Sequence, residues 1–206
     1  MAYKVITIAR TLGAGGEELG TELAKALGMR YVDSEIIVQA AARAGVTVEE
    51  VARVEGRKGL IQRILDGFSA AGGGSGAQAT SATTPSGDYS QLIVDVIHET
   101  AAAGNVVIVA HGAAIPLAKT PGTLRIFVTA STEERVNRLI TEGVPPARAR
   151  DDIEDSDAQR ADFLERFYGL EQELSTHYDL VINTDRLGFA ETVRAILALV
   201  GQPIRP

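Results

Sequence analysis

The stretch KVITIARTLGAGGEELGTELAKAL, Lys4 to Leu27, decides how the chain is read. Val5, Ile6 and Ile8 form a short apolar run of the kind that makes a buried strand. Gly13-Ala14-Gly15-Gly16 follows at once. Leu19, Leu23, Ala26 and Leu27 then recur at helical spacing. Strand, glycine turn and helix in succession are the setting of a phosphate-binding loop. Glycines let consecutive backbone N–H groups curl round an anion, and the helix N-terminus adds partial positive charge. A plain strand-to-helix turn would use the same residues, with Glu17 and Glu18 favoured at the helix start by its dipole.

The turn is an incomplete match to the Walker A pattern, G-x-x-x-x-G-K-[ST]. With Gly15 as the second glycine, Arg10 stands at the first, Gly16 replaces the lysine and Glu17 replaces the hydroxyl residue.

Outward from this stretch, strands and helices alternate. Arg30-Tyr31-Val32 is a second short strand, and Asp33 and Ser34 precede a helix from Glu35 to Ala44. Asp33 therefore lies at the carboxyl end of a strand, the edge that carries ligands in open α/β sheets. It also reads as a helix N-cap. Thr47 to Glu50 is a capping box. Arg53, Arg57, Lys58 and Arg63 make a basic run, read as a substrate-phosphate site or as a solvated helix face. Ser69 to Asp88 is rich in Ala, Gly, Ser and Thr and is expected to be a mobile loop. Tyr89 to Ala103 reads as a helix and Val106 to Val109 as a fully apolar central strand that runs into His111. Leu124 to Thr129 is a strand, and Ser131 to Glu134 is a second capping box, opening a helix with Arg135 and Arg138. Ala147 to Arg166 is the most charged stretch. It reads as two short helices, either a phosphate-clamping lid or a salt-bridged, solvated pair. Leu180 to Asn183 is the last strand and Phe189 to Val200 the closing helix. Five strands alternating with helices predict a three-layer α/β fold with a mostly parallel sheet.

The totals narrow the function. The 206 residues suit one domain, and 45% hydrophobic content can supply its core. No apolar run reaches the roughly 18 residues of a membrane span, and no signal peptide is expected ahead of the first strand. Cysteine is absent, which excludes disulfides and thiolate metal sites and fits a cytoplasmic setting. The net charge of −7 argues against a nucleic-acid binder. His98, His111 and His177 lack metal-ligand spacing, so no protein-borne metal site is expected.

Five segments together resemble the cytidylate-kinase-like proteins, a branch of the P-loop nucleoside monophosphate kinases. ITIARTLGAGGEELG is similar to that branch's ITISR-x-x-GSGG-x-E-I opening, which also has arginine and glycine at the two unusual positions. YVDSEII resembles its Y-x-D-x-E-I-I segment, GNVVIVAHGAA its glycine-x-V-I-V-G-R-G-A segment, DAQRADFLERFYG its lid, and YDLVINTDRL its closing strand. The resemblance spans almost the whole chain and is fairly specific in this order and spacing. There are two departures. His111 stands where the branch usually has arginine, and Glu17 stands where it usually has arginine after the double glycine. Both remove positive charge.

The resemblance implies a P-loop NTPase fold with strand order 2-3-1-4-5, an NMP-binding region over about 34–90 and a lid over about 144–170. It implies ATP with Mg2+ as phosphoryl donor and a CMP-like acceptor, so the expected partners are nucleotides. On this reading Arg10, Arg160 and Asp33 are the catalytic set. Gly13, Ala14, Gly15, Gly16, Glu17, Glu18 and Arg150 bind the donor, and Arg43, Arg57 and His111 meet the acceptor phosphate. Loss of Arg10 or Arg160 is expected to reduce turnover far more than stability. Two alternatives remain: a nucleotide-binding or regulatory protein that has lost transfer, and a P-loop kinase for another small acceptor.

Overall fold

The computed structural model describes residues 3–54 and 89–201. Arg57, the rest of the basic run after it and the Ser69–Asp88 segment lie outside the described residues. The elements are β1 (Val5–Arg10), α1 (Gly16–Leu27), β2 (Arg30–Val32), α2 (Glu35–Ala44), α3 (Val48–Val54), α4 (Ser90–Ala103), β3 (Val106–Val109), β4 (Thr123–Thr129), α5 (Thr132–Thr141), α6 (Pro146–Tyr168), a 3-10 turn (Ser175–His177), β5 (Leu180–Asn183) and α7 (Phe189–Leu199). The five strands form one parallel sheet in the order β2-β3-β1-β4-β5. This is the α/β fold and strand order that the resemblance implied.

Parallel strands covered on both faces read as continuous apolar runs. Every residue of β1 and of β3 is buried. On one face, Ile6, Ile8, Val107, Val109, Leu124, Ile126 and Val128 pack with Leu19, Leu23 and Ala24 of α1 and Ile196 of α7. Each such Ile or Leu contributes roughly 1.5–3 kcal/mol relative to exposure. Gly20 lets α1 approach the sheet closely, because a Cβ there would come within 2.5 Å of Val109 Cγ2.

The chain divides into two compact units, residues 1–33 with 100–206, and residues 34–99. The first holds the whole sheet. In the second, α2 buries Ile36, Ile37, Ala40 and Ala41, and α4 buries Ile93, Val96 and Ile97. The first capping box forms as read, with Glu50 N donating to Thr47 Oγ1 at 3.3 Å and Thr47 N to Glu50 Oε2 at 3.0 Å.

The stretch read as two short helices is one helix of 23 residues, α6. Its sparse apolar positions still form a face, with Ala149, Ile153, Phe163 and Leu164 all buried. Asp157, in the charged middle, is fixed by Arg135 of α5 at 2.9 and 2.5 Å. Among the described residues no helix is long and apolar enough to cross a membrane.

Candidate functional site at the glycine turn

β1 ends in Arg10 and α1 starts at Gly16, so the turn is short and its glycines take the strain. Gly13 has φ +76° and Gly15 φ +80°, a left-handed conformation that side chains disfavour. Gly15 is the N-cap of α1 and carries no side-chain capping bond. The first-turn N–H groups of a helix have no intrahelical carbonyl to meet. The carbonyls of the turn are bonded within the protein. Gly13 O accepts from Arg138 Nη1 at 3.2 Å, Leu12 O from Arg135 Nη1 at 3.4 Å and Ala14 O from Thr184 Oγ1 at 3.2 Å. Arg138 also donates to Thr184 Oγ1 at 2.9 Å and to Thr184 O at 2.7 Å. Three successive carbonyls of the turn are thus bonded within the protein, and Ala14 N donates back to Thr11 O at 3.2 Å.

Arg135, Arg138 and Thr184 were not singled out as site residues from the sequence. The two arginines sit three residues apart on a charged helix, a pattern that a solvated face shares. Their role appears only when α5 and the end of β5 are brought against the turn.

A cleft of about 390 Å3 opens beside the turn, lined by Gly13, Ala14, Gly15, Glu18, Arg138 and Thr184, among others. Of the residues named from the sequence, Gly13, Ala14, Gly15 and Glu18 therefore share one wall. Arg10 and Arg160 do not line it.

Arg10 is 7% exposed and pairs with Glu17. Burial pulls its pKa down, but the hydrogen bond and charge of Glu17, with Asp33 and Tyr31 beyond, leave it above the ordinary value. The contact explains the double glycine. A Cβ on Gly16 would lie 2.6 Å from Arg10 Cβ and 2.7 Å from Cδ. Arg10, Gly16 and Glu17, three separate departures in the motif comparison, are one packed unit.

Arg160 of α6 is also 7% exposed. Its Nε and Nη2 donate to the two oxygens of Glu173 at 2.8 and 2.5 Å. Burial lowers its pKa and Glu173 more than offsets that, so the guanidinium stays charged. Arg10 is near enough for its charge to oppose this slightly.

His111 is fully buried, and its Nε2 lies 2.8 Å from Asp33 O. A carbonyl only accepts, so Nε2 carries the proton. The ring thus ties the end of β2 to the turn after β3. That turn is strained: Ala110 and His111 have φ +80° and +55°, values rare for side-chain-bearing residues. The Tyr168 hydroxyl donates to His111 O at 2.7 Å, and Gly112 lies where a Cβ would strike the Tyr168 ring at 2.5 Å.

The remaining sequence-predicted residues lie elsewhere. Arg150 is half exposed and pairs with Glu133 of α5 at 2.7 Å. Arg43 of α2 pairs with both oxygens of Glu99 on α4, within the second unit.

The family model described as the cytidylate kinase-like family matches residues 5–186. Among curated proteins, none matches the chain by sequence. Among solved structures, an uncharacterized protein from Eubacterium ventriosum ATCC 27560 is similar with a TM-score of 0.67 at 15% identity, over 97% of this chain and 99% of that one. A gluconokinase from Sinorhizobium meliloti 1021 gives 0.51 at 14% identity, over 98% and 94% of the two chains. Shikimate kinase from Bacteroides thetaiotaomicron gives 0.50 at 18% identity, over 96% and 98%. At these identities the likeness is one of fold.

Proposed function

We propose that this chain, which belongs to the cytidylate kinase-like family, transfers a phosphoryl group from ATP to a nucleoside monophosphate of the CMP or dCMP type. The observation that carries the reading is the turn between β1 and α1. Its carbonyls are tied inward, its glycines hold left-handed φ values, and the helix N-terminus it feeds is uncapped. The turn also leaves a polar atom without a protein partner: Thr11 Oγ1 is buried with no hydrogen bond among the described residues. These residues fit a polyphosphate.

Phosphoryl transfer needs positioning and charge neutralisation more than covalent chemistry. In this proposal the backbone from Gly13 to Glu18 cradles the donor phosphates. Arg10 supplies the charge that a Walker lysine would bring, exchanging Glu17 for phosphate oxygens. Arg160 adds a second cation, with Arg150 at the outer end of the region over about 144–170 that would cover the donor. Asp33 orients the acceptor. His111 holds Asp33 in place through its carbonyl, and Arg43 and Arg57 complete the acceptor set within the region over about 34–90. Magnesium bound with the nucleotide would neutralise charge on the phosphate oxygens. Among the described residues no three ligating side chains converge on a metal position. Its ligands in this reading are phosphate oxygens and water, with Glu17 or Asp33 outside them.

The test is ADP release from Mg2+–ATP with a panel of monophosphates, run beside a thermal-shift series on the same ligands. Binding to the native state must raise the midpoint. ADP release stimulated by CMP or dCMP, and lost in Arg10→Ala, is the expected result. Stimulation by a different small hydroxyl-bearing acceptor would reassign the substrate. A second reading rests on the Arg10–Glu17 pair, in which an internal carboxylate already holds the cation nearest the turn. On that reading the chain binds nucleotide without transferring it, and ATP raises the midpoint with no ADP released. No shift with any nucleotide at millimolar concentration overturns both.

A further inference from the structure

We infer that Glu173 and Tyr178 are positioning residues that aim the Arg160 guanidinium, so that it meets phosphate oxygens as a fixed donor. The inference rests on the reading of the glycine turn as a polyphosphate site. Neither residue was named from the sequence, and both lie outside α6, which carries Arg160.

A guanidinium this buried needs a carboxylate, and the way it is paired sets its direction. Glu173 takes two of its three nitrogens, Nε at 2.8 Å and Nη2 at 2.5 Å. Nη1 has no hydrogen-bond partner among the described residues. The carboxylate is itself held, because the Tyr178 hydroxyl donates to Glu173 Oε1. That hydroxyl oxygen lies 3.4 Å from Arg160 Nη2, closing a three-member ring of contacts. The plane below is also fixed. Arg160 Cζ sits 5.6 Å from the centroid of Phe127, and Phe127 stacks on Tyr178 with centroids 5.0 Å apart and planes 21° apart. Tyr178 is 7% exposed and packs with Ala9, the residue before Arg10, and with Ala114.

The arginine is therefore held by two segments, β4 through Phe127 and the connection into β5 through Glu173 and Tyr178, and Tyr178 in turn packs on Ala9 of β1. A solvated lid arginine searches many rotamers before it finds a phosphate. This one has paid that entropy on folding. Because Glu173 balances its charge, it contributes a directed N–H more than a diffuse positive field.

A double-mutant cycle on the full-length chain tests this. The probes are inorganic tripolyphosphate, for binding by calorimetry, and Mg2+–ATP with CMP, for kcat and KM. Tyr178→Phe keeps the stacked ring and removes only the hydroxyl. It should lower kcat about tenfold, the worth of one hydrogen bond to a charged group, with KM little changed. Glu173→Gln should lose more, and Glu173→Asp should recover part of it. On tripolyphosphate affinity, the losses from Arg160→Lys and Tyr178→Phe should fail to add. Additive losses overturn the inference, as does wild-type kcat in a folded Tyr178→Phe chain. Wild-type chain that binds tripolyphosphate but releases no ADP would refute the transfer reading and leave the cycle to decide this one. Absence of tripolyphosphate binding overturns both.

Discussion

Arg10 and Arg160 are equally buried, at 7% exposure each, but the carboxylates that hold them are not. The Glu17 side chain is 42% exposed and that of Glu173 is 17%. Glu17 accepts from Arg10 through Nη2. Glu173 accepts from Arg160 through Nε and Nη2 and is held in turn by Tyr178. The difference separates two kinds of buried cation. The Glu17 carboxylate already reaches water, so it hydrates when Arg10 takes another anion in its place. Glu173 has no such exit, so Arg160 keeps its direction whatever else binds. A pair of buried cations thus divides into one that is exchangeable and one that is built in.

The largest effect that bears on this contrast is on stability. Arg160→Ala leaves Glu173 buried without its counter-charge, and urea unfolding should report a loss of about 3 kcal/mol or more. Arg10→Ala should lose clearly less, because Glu17 hydrates. Equal losses would break the contrast. The expectation that each variant lowers turnover far more than stability meets its hardest test in Arg160→Ala, because the sequence does not show the buried partner Glu173.

Next in size is Gly16→Ala. Its new Cβ would sit 2.6 Å from Arg10 Cβ, inside contact distance, and overpacking of this kind costs about 1–3 kcal/mol. The cost should shrink in an Arg10→Gly background, measured by the same unfolding. Persistence of the full cost there would show that the turn, not the arginine, excludes a side chain.

The smallest effect is in acid. Burial raises the Glu173 pKa, but the hydrogen bond and charge of Arg160 outweigh it and leave the pKa below the ordinary 4.5. A lowered carboxylate pKa means that the unfolded chain binds the proton first. The stabilisation is complete above the ordinary value and drains away as pH falls below it. Asp179, lowered chiefly by its hydrogen bond from Arg125, acts in the same sense from 3.8 downward. The wild-type midpoint should therefore fall below about pH 4.5, and Glu173→Gln should fall less steeply from its own, lower starting point. Parallel slopes would mean that Glu173 is not paired in solution.

What could be read from the sequence follows from the range of the forces involved. β3 is apolar at every position and β1 at all but Thr7 and Arg10, and their burial on both faces writes itself into the composition. Capping at Thr47 and Ser131 is encoded within four residues, and both bonds form. α6 was misread as two helices because its buried face is thin: Ala149, Ile153, Phe163 and Leu164 are widely spaced among charges. What joins them into one helix is tertiary, including the Arg135–Asp157 pair across 22 residues. The site was legible as a turn and illegible as a network. Position-by-position comparison recorded Arg10, Gly16 and Glu17 as three oddities. In the folded chain Arg10 fills the space a side chain at 16 would need and binds the side chain at 17. Tyr178 was legible only as the first residue of the closing-strand segment and Glu173 not at all, since nothing in a loop sequence says which arginine will lie against it.

The contact between Arg10 and Gly16 also constrains how such a loop can evolve. Gly16→Lys alone would bring back the Walker cation but drive its Cβ into Arg10. Arg10→Gly alone would leave the turn with neither cation. Each single step lands on a loop worse than either end state. With Glu17 standing at the hydroxyl position as well, the arginine form and the Walker form lie three coupled substitutions apart.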